Sequence, residues 1–395
     1  MSATVAVRAA GLALLLTACG AGGSRPAQGQ DTARPALAAP TPGLDSARLA
    51  GVEARAAAPT PGLDSALLAD VEARAAAPTR GLDSALLADV CARAAALPRL
   101  RSLLVARRDT LLREAYFHGA TAARRANIKS ASKSIISALV GIAIGEGKLT
   151  GLDQPIAPFF ARSIGPRADP RLRRITIGNL LSMQSGLQPT SFGNYGDWVS
   201  SRDWVRYVLT RPFADQPGGR MLYSTGSTHL LSAILTRATG MSTLAYARSR
   251  LMQPLGIDLA PWTRDPQGIY FGGNEMALRP RDLLRFGQLY LHGGRLDGRP
   301  IVPEAWIRNS WVQRATSPFN GYGYGLGWWH RTSGAHDVYF AWGYGGQYLF
   351  LVPDLDLAVV MTSDPDEGHD HEHNQALHAL LDELVQAAAR GAARR

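Results

Sequence analysis

Residues 130–140, Ser-Ala-Ser-Lys-Ser-Ile-Ile-Ser-Ala-Leu-Val, combine a serine and a lysine three positions apart with an apolar helical pattern. Positions i and i+3 share one face of a helix, so the amine of Lys133 lies within reach of the Ser130 hydroxyl. The helix N-terminus adds partial positive charge where a negative oxygen would develop. A serine becomes a good nucleophile when a base removes its proton, and a buried lysine with a lowered pKa is such a base. The spacing therefore favours acyl transfer, although the same pattern also occurs on ordinary surface helices.

The composition is that of a globular protein, with 46% hydrophobic and 19% charged residues in 395. These values lie far from the range of disordered chains, and the length leaves room for a complete enzyme. The formal net charge of +10 comes with no helix-turn-helix pattern and no aromatic residues interleaved with a basic stripe. We therefore expect a solvated basic surface and no nucleic-acid partner.

The N-terminal segment 1–19 has the pattern of a targeting signal. Arg8 precedes an apolar run over 11–16 that is too short to span a bilayer. The next residues, Leu16-Thr17-Ala18-Cys19, resemble the bacterial lipobox, which implies lipidation of Cys19 and a membrane anchor. We expect an exported lipoprotein, periplasmic or at the cell surface, and held at the outer membrane because Gly20 is no retention signal. A plain signal peptide or an uncleaved apolar N-terminus is the alternative.

A linker and a repeat follow this segment. Residues 20–40 are rich in Gly, Ala, Pro and Gln, a composition typical of flexible linkers. The hexapeptide Thr-Pro-Gly-Leu-Asp-Ser recurs with a period of 19 residues, with Arg for Pro in the last copy, at 41–46, 60–65 and 79–84. Each copy places Asp-Ser before apolar residues at helical spacing and so predicts a short helix. We interpret 41–78 as a spacer and the third copy as the first helix of a folded domain over 79–395. A partner-binding array is the alternative.

Strand patterns stand at both ends of this domain. Two runs form a predicted hairpin, at 102–106 and 111–117, and three more suggest antiparallel neighbours, at 337–341, 347–352 and 357–362. The region between them has mostly helical patterns, and 376–389 predicts an amphipathic helix. The sequence thus predicts an α+β (α/β) fold, an antiparallel sheet flanked by helices beside a mostly helical subdomain, with a site in the cleft between them.

Further segments follow Ser130 and Lys133 in a characteristic order. They are Leu180-Leu181-Ser182-Met183-Gln184-Ser185-Gly186-Leu187, Tyr223-Ser224-Thr225, Gly272-Gly273 with residues 281–286, Tyr324-Gly325-Leu326-Gly327-Trp328, and Tyr344-Gly345-Gly346-Gln347. Together they resemble the class C β-lactamase, penicillin-binding protein and esterase family of serine hydrolases over about residues 80–390. The resemblance implies a β-lactamase/transpeptidase-like fold and a reaction that needs neither metal nor cofactor.

By this resemblance Tyr223 lies opposite Lys133 and shares the proton relay between Ser130 and the leaving group. A buried structural tyrosine is the alternative. The backbone N–H of Ser130 and one from the strand at 345–347 would form the oxyanion hole. Gln347 is the preferred second donor and Gly346 the alternative, and the glycines at 345 and 346 would let the substrate approach the backbone.

Two residues depart from the family pattern and bear on substrate binding. Thr225 stands where the family has an asparagine that holds a substrate amide, and Tyr344 replaces the lysine or histidine that meets a substrate carboxylate. Without that cation a β-lactam loses its charge anchor, whereas a neutral ester or small amide does not. Four tryptophans either line an apolar acyl pocket or pack in the core: Trp198, Trp204, Trp328 and Trp342.

The segment His369-Asp370-His371-Glu372-His373 carries ligand-type residues, but no second cluster completes a tetrahedral set, which favours a solvated loop over a metal site. We therefore expect a hydrolase of a small ester or amide, of the esterase, amidase or 6-aminohexanoate-dimer hydrolase type. β-Lactamase or D-alanyl-D-alanine peptidase activity is the alternative. A binding protein without catalysis is the other class, and the intact Ser130, Lys133 and Tyr223 argue against it. The sequence leaves the oligomeric state open.

Overall fold

The computed structural model describes residues 82–366, 368 and 370–393. The predicted signal segment, linker and first two repeat copies lie outside these residues, as do Glu367 and His369. Within the described part no helix is both long enough and apolar enough to cross a membrane.

An eight-stranded sheet organises the described residues, and all its strand pairs are antiparallel. Its order is β2-β1-β12-β11-β10-β9-β8-β7. Two further short pairs are formed by β3 with β4 and by β5 with β6. The strands are β1 (Leu100–Arg107), β2 (Thr110–Tyr116), β3 (Ala126–Asn127), β4 (Ala277–Leu278), β5 (Arg295–Leu296), β6 (Arg299–Pro300), β7 (Ala315–Thr316), β8 (Gly323–Tyr324), β9 (Trp329–Ser333), β10 (His336–Gly343), β11 (Gln347–Val352) and β12 (Leu357–Ser363). Strands from both ends of the domain thus meet in one sheet, as predicted.

The helices are α1 (Ser84–Ala95), α2 (Ser132–Gly145), α3 (Ile177–Leu181), α4 (Tyr195–Val199), α5 (Trp204–Leu209), α6 (Thr225–Thr239), α7 (Thr243–Ala247), α8 (Pro280–Leu291), α9 (Glu304–Trp311) and α10 (His371–Ala393). Helices α3–α7 form the helical region that lies between the two sets of strands in the chain. The amphipathic C-terminal helix is confirmed and is longer than the predicted 376–389.

Both faces of the sheet are buried. Because successive side chains of a strand point to opposite faces, each strand contributes residues to both. In β1, Leu103 and Val105 pack in one core cluster with α1 and α10. Leu104 and Ala106 point to the opposite face and pack in a second cluster with α2, α8 and the helical region. The sheet therefore separates two apolar layers.

The third copy of the repeat forms α1, so that predicted helix is confirmed. Asp83 is its N-cap and accepts a hydrogen bond from the Ala85 N–H at 3.0 Å. Leu87, Val90 and Ala94 are buried with residues of α10. Because these side chains contribute to the core, the third copy is part of the folded domain.

The segment 324–328 positions helix α2 against the sheet. Ser134 and Ser137, one helical turn apart, donate hydrogen bonds to the carbonyl oxygens of Gly327 and Leu326 at 2.7 and 2.6 Å. All four residues are buried. The Tyr-Gly-Leu-Gly-Trp segment therefore holds the helix that follows the predicted nucleophile.

Candidate active site

A cavity of about 660 Å³ opens beside Ser130, between the helical region and the C-terminal end of strand β10. Its volume lies within the range of small-molecule sites. The cavity is lined by Lys129, Ser130, Ser191, Phe192, Tyr195, Tyr223, Thr225, Asn274, Glu275, Phe319, Asn320, Trp329, Trp342, Gly343, Tyr344 and Pro365. Four of the predicted site residues, Ser130, Tyr223, Thr225 and Tyr344, thus meet around one space.

Ser130 lies in a short 3-10 helix, Lys129–Ala131, that leads directly into α2. Lys129 has a positive φ of 48°, a left-handed conformation that L-residues rarely adopt and that is concentrated at functional sites. The Lys129 N–H donates to Asn127 Oδ1 at 3.0 Å, which holds this turn. The backbone therefore presents Ser130 to the cavity at the entry to the helix.

Lys133 is buried, with 2% of its surface exposed, and its Nζ has three hydrogen-bond partners. Nζ lies 2.9 Å from Ser130 Oγ, 3.1 Å from Thr225 Oγ1 and 2.8 Å from the Gly273 carbonyl oxygen. Burial lowers the pKa of Lys133 to about 7, because the interior disfavours the charged amine. The predicted contact between Lys133 and Ser130 is therefore present, with an amine that is about half deprotonated near neutral pH.

The Gly273 carbonyl reaches Lys133 because residue 273 has no side chain. A Cβ there would lie 2.7 Å from Lys133 Cγ and 2.4 Å from Thr228 Oγ1. A fully buried pair supports this loop from below, since His229 Nε2 lies 3.1 Å from Asp265 Oδ2 and the Gly272 N–H donates to His229 Nδ1 at 3.4 Å. The Gly272-Gly273 segment thus supplies a hydrogen-bond acceptor to the amine of Lys133.

Tyr223 contacts both predicted catalytic residues. Its ring centroid lies 5.2 Å from Lys133 Nζ, and its hydroxyl is near Ser130. Burial raises the pKa of Tyr223 to about 12, and the nearby Ser130 hydroxyl opposes the rise only in part. The ring stacks on Trp329 at 5.5 Å between centroids. Tyr223 is therefore a protonated phenol at neutral pH.

The segment 180–187 holds the chain on both sides of Tyr223. Met183, with a positive φ of 61°, accepts a hydrogen bond at its carbonyl from the Leu222 N–H at 2.7 Å. Its sulfur lies 3.4 Å from the Ser224 nitrogen. This motif thus acts on the site through the backbone of residues 222 and 224.

Thr225 lines the cavity, but its hydroxyl also belongs to the hydrogen-bond network of the amine. Thr225 Oγ1 accepts from Lys133 Nζ and lies 2.8 Å from Ser191 Oγ, and the Thr225 N–H donates to the same Ser191 oxygen at 2.7 Å. The sequence predicted a substrate contact for Thr225, whereas these bonds give it a part in positioning Lys133 as well. Ser191 was not foreseen, because no local pattern distinguishes it.

Gly343, the last residue of β10, and Tyr344, in the turn that follows, are the residues of this segment that line the cavity with Ser130. The Gln347 side chain is fully buried and donates to the Ser363 carbonyl at 2.7 Å, and neither Gln347 nor Gly346 lines the cavity. Gly343 packs against the turn before Ser130, since a Cβ there would lie 2.1 Å from the Ile128 carbonyl oxygen. The cavity therefore meets this segment at residues 343 and 344, before the predicted donors Gln347 and Gly346.

The two glycines of this turn pack closely against neighbouring residues, and neither is among the residues that line the cavity. Gly345 and Gly346 have positive φ values of 79° and 91° and connect β10 to β11. A Cβ on Gly345 would meet Pro365 at 3.0 Å, and one on Gly346 would meet Ser363 and His373 at 2.8 and 2.9 Å. They allow the turn to lie against the segment that follows β12.

The aromatic lining differs from the four predicted tryptophans. Trp198, Trp204 and Trp328 are buried in the core and do not line the cavity. Trp342 lines it, together with Trp329, which was not singled out. Further aromatic lining residues come from the start of α4 and from two loops far apart in the chain, and were missed for that reason: Tyr195, Phe192 and Phe319.

An ion pair also lines the cavity and was not predicted. Lys129 Nζ lies 3.2 Å from Glu275 Oε1, and Asn127 Nδ2 donates to Glu275 Oε2 at 2.7 Å. These are the two formally charged side chains among the lining residues, apart from the buried Lys133 behind them. Because they pair with each other, the wall of the cavity has no net charge.

The histidine-rich segment is used in structural contacts where it is described. His373 Nε2 lies 2.9 Å from Ser363 Oγ, and His371 Nε2 lies 2.8 Å from Gln375 Nε2. Burial and the nearby Arg99 lower the pKa of His373. His369 lies outside the described residues, within which no group of three ligand-type side chains is suited to a metal ion.

A buried lysine one helical turn after a serine, an adjacent tyrosine and an antiparallel sheet beside a helical region define a β-lactamase/transpeptidase-like hydrolase fold. A sequence profile described as Beta-lactamase matches residues 101–383, which is more than half of the chain. The chain therefore belongs to the β-lactamase family of hydrolases.

The proteins similar to this chain include hydrolases and a penicillin-binding protein homologue. The 6-aminohexanoate-dimer hydrolase of Paenarthrobacter ureafaciens is 28% identical over 307 residues, 71% of this chain and 77% of that protein. EstCE1, a hydrolase with promiscuous acyltransferase activity, is 18% identical, with a TM-score of 0.62 over 75% of this chain and 98% of its own. The octameric penicillin-binding protein homologue from Pyrococcus abyssi is also 18% identical, with a TM-score of 0.60 over 75% of this chain and 76% of its own. These two structures support the fold alone.

Proposed function

We propose that the protein is a serine hydrolase that cleaves a neutral ester or small amide through an acyl-enzyme on Ser130. The observation that carries this proposal is the 2.9 Å contact between Ser130 Oγ and the buried amine of Lys133, whose pKa is lowered to about 7. An amine in this state accepts a proton from the serine hydroxyl at neutral pH. Nothing in the reaction requires a metal or cofactor.

The pKa values favour Lys133 over Tyr223 as the base. At pH 7 a phenol with a pKa of about 12 is deprotonated in roughly one molecule in 10⁵, whereas an amine with a pKa of about 7 is neutral in about half. Tyr223 therefore acts as a protonated relay. Tyr223 donates its phenol proton to the leaving group, and its oxygen then takes up the proton that Lys133 gained from Ser130.

The first step forms a bond between Ser130 Oγ and the substrate carbonyl carbon as the hydroxyl proton moves to Lys133. The resulting oxyanion needs donors from the backbone. We assign the N–H groups of Ser130 and Tyr344 to this role, because Tyr344 lines the cavity and follows Gly343, which packs against the turn before the nucleophile. Protonation of the leaving alcohol or amine then breaks the scissile bond, and water releases the acid by the same route in reverse.

The choice of a neutral substrate rests on the charges of the wall. Tyr344 provides a hydroxyl without formal charge, and the ammonium of Lys129 is already paired with Glu275. A carboxylate-bearing β-lactam therefore finds no unbalanced cation among the lining residues. The name of one relative, a 6-aminohexanoate-dimer hydrolase, agrees with an amide substrate.

Substituting lysine for Tyr344 should shift the preference toward carboxylate-bearing substrates. We expect the unmodified protein to have a higher kcat/KM for an aryl ester than for a cephalosporin. Tyr344→Lys should raise the cephalosporin value about ten- to a hundredfold, since a recovered charge-assisted hydrogen bond contributes roughly 1.5–3 kcal/mol. Tyr344 is half exposed at the entrance of the cavity, so a lysine fits there without displacing core residues. Both rates are measured spectrophotometrically.

Thr225→Asn is the comparison variant for this experiment. If Thr225 or the pocket shape limits β-lactam turnover, Thr225→Asn raises the cephalosporin rate and Tyr344→Lys does not. A preference of the unmodified protein for the cephalosporin would contradict the charge argument and favour a β-lactamase.

We further propose that Cys19 is acylated and anchors the protein to a membrane, with the outer membrane expected in a Gram-negative host. The support is the lipobox-like Leu16-Thr17-Ala18-Cys19 after a short apolar run. The full-length protein should incorporate labelled fatty acid and partition into detergent, and Cys19→Ser should do neither. Cys91→Ser is the matched control, because Cys91 is buried in α1. Equal behaviour of the unmodified protein and Cys19→Ser would refute the anchor.

A further inference from the structure

The entrance of the cavity carries an unusual concentration of exposed aromatic surface. Among the described residues, five large hydrophobic side chains are exposed, and three of them line this one cavity: Phe192 at 52%, Phe319 at 68% and Tyr344 at 47%. We call these three residues the aromatic rim. Exposed apolar surface that is gathered at one place marks a binding site, whereas single exposed residues scattered over a surface need no explanation.

Two members of the rim meet across the cavity from different parts of the chain. The rings of Phe192 and Phe319 are 5.4 Å apart between centroids, at an interplanar angle of 54°. Phe192 precedes α4 in the helical region, and Phe319 lies between β7 and β8 of the sheet. The pair thus bridges the two walls, and an apolar group that enters the cavity contacts both rings.

Phe192 and Phe319 both lie in turns whose backbone is held by hydrogen bonds. Phe192 follows Ser191, which bonds Thr225, and the Phe192 carbonyl accepts from the Tyr195 N–H at 2.7 Å. The Phe319 N–H donates to Ser317 Oγ at 3.3 Å, and the buried Ser317 bonds Tyr322 and Gly321 through its backbone. A rim held in this way binds an apolar group with little loss of conformational freedom.

The interior continues the apolar character of the rim. Trp329, Trp342, Tyr195 and Tyr223 line the cavity below it, and the ion pair of Lys129 and Glu275 leaves the wall without net charge. A volume of about 660 Å³ is far larger than an acetyl group requires. The site is thus shaped for a substrate with a sizeable uncharged apolar part.

We propose that the aromatic rim is a specificity subsite that binds a medium-length alkyl or aryl substituent of a neutral ester or amide. The inference rests on the proposed function for the scissile bond and adds the substrate class. Phe192 and Phe319 are its main determinants. They act on binding of the substituent and take no part in proton transfer.

The test compares long and short substrates in the full-length protein. Two ester series are used, p-nitrophenyl octanoate against acetate and octyl against ethyl acetate, so that the apolar chain lies on either side of the scissile bond. In at least one series, kcat/KM of the unmodified protein should be more than tenfold higher for the long substrate. Phe192→Ala and Phe319→Ala should each lower that long-to-short ratio about tenfold, since loss of apolar contact acts only on the long chain.

Leu111→Ala is the matched control, because Leu111 is also an exposed hydrophobic residue but lies on β2, at the opposite edge of the sheet. It should leave the ratio unchanged. A ratio unaffected in both series by Phe192→Ala and Phe319→Ala would overturn the subsite. An equal loss for long and short substrates would do the same, because it would indicate a structural role.

A binding measurement separates this proposal from the hydrolase proposal. Ser130→Ala is titrated with octanamide and acetamide, and the fluorescence of the cavity tryptophans Trp329 and Trp342 reports binding. Octanamide should bind, and Phe192→Ala or Phe319→Ala in that background should weaken it about tenfold. Binding of this kind without any ester hydrolysis by the unmodified protein would retain the subsite and refute the hydrolase. Ester hydrolysis without binding that depends on Phe192 or Phe319 would retain the hydrolase proposal and refute the subsite.

Discussion

Replacing Ser130 by alanine is expected to abolish aryl-ester hydrolysis, with kcat at least about 10⁴-fold lower. The reason is that the proposed acyl-enzyme is an ester of Ser130 Oγ and cannot form without that atom. Initial rates with p-nitrophenyl acetate measure the loss. A fluorophosphonate probe should add one equivalent of mass to the unmodified protein and none to Ser130→Ala.

Ser132→Ala is the matched control for this experiment. Ser132 lies two residues further along, is fully buried and donates its hydroxyl hydrogen to the Lys129 carbonyl at 2.7 Å. The control should therefore still be labelled. Labelling of Ser130→Ala at Ser191, the other serine that lines the cavity, would move the nucleophile there, and unchanged ester hydrolysis in Ser130→Ala would refute the serine mechanism.

Replacing Lys133 by methionine is expected to lower kcat about 10²- to 10⁴-fold, because the side chain keeps its length and loses its base. In the unmodified protein, kcat/KM should rise with pH and level off above about 7, where the Lys133 amine loses its proton. Below that value the rate should fall about tenfold for each pH unit. The profile is measured with an uncharged ester, so that only groups of the protein titrate. If the fall in kcat/KM below about pH 7 persists in Lys133→Met, the pH dependence belongs to a group other than Lys133.

The same lysine makes a prediction about stability. Its folded pKa of about 7 lies below the unfolded value of roughly 10.4, so between these values the unfolded chain binds more protons and the free energy of unfolding rises with pH. Relative to Lys133→Met, the unmodified protein should gain on the order of 2 kcal/mol between pH 6 and pH 9. Denaturant unfolding at both pH values measures the difference. Lys148→Met, which replaces an exposed lysine, is the control variant, and its unfolding is compared with that of the unmodified protein in the same way. If the unmodified protein gains no stability relative to Lys133→Met as the pH rises, the lowered pKa of Lys133 is contradicted.

Several parts of the fold were predictable because their signals are local. The nearly continuous apolar runs of β1 and β11 require only neighbouring positions, and they predict strands with two buried faces. The three-residue spacing of Ser130 and Lys133 likewise predicts their contact, since a helix brings such positions together wherever it lies. The helix of the third repeat copy follows from Asp83 and the apolar positions after it.

Other parts depended on contacts between residues far apart in the chain. Gln347 was predicted as an oxyanion donor from an order of motifs, but the end of β10 and its turn decide which amide faces Ser130. Trp328 and Trp198 carry the same apolar signal as Trp342, and only the packing of the helical region shows that they belong to the core. No spacing rule distinguishes these cases, because burial is a property of the assembled layers.

The sequence by itself predicted a candidate nucleophile and its base, several strands and the family, because each is encoded in short spacing or in the order of motifs. The tertiary structure alone decided the remaining features of the site. It paired Lys129 with Glu275 across 146 residues, brought the Gly273 carbonyl to Lys133 across 140, and joined Phe192 to Phe319 over the cavity. Such contacts arise only when the helical region packs against the sheet, since no local interaction along the chain holds these residues together.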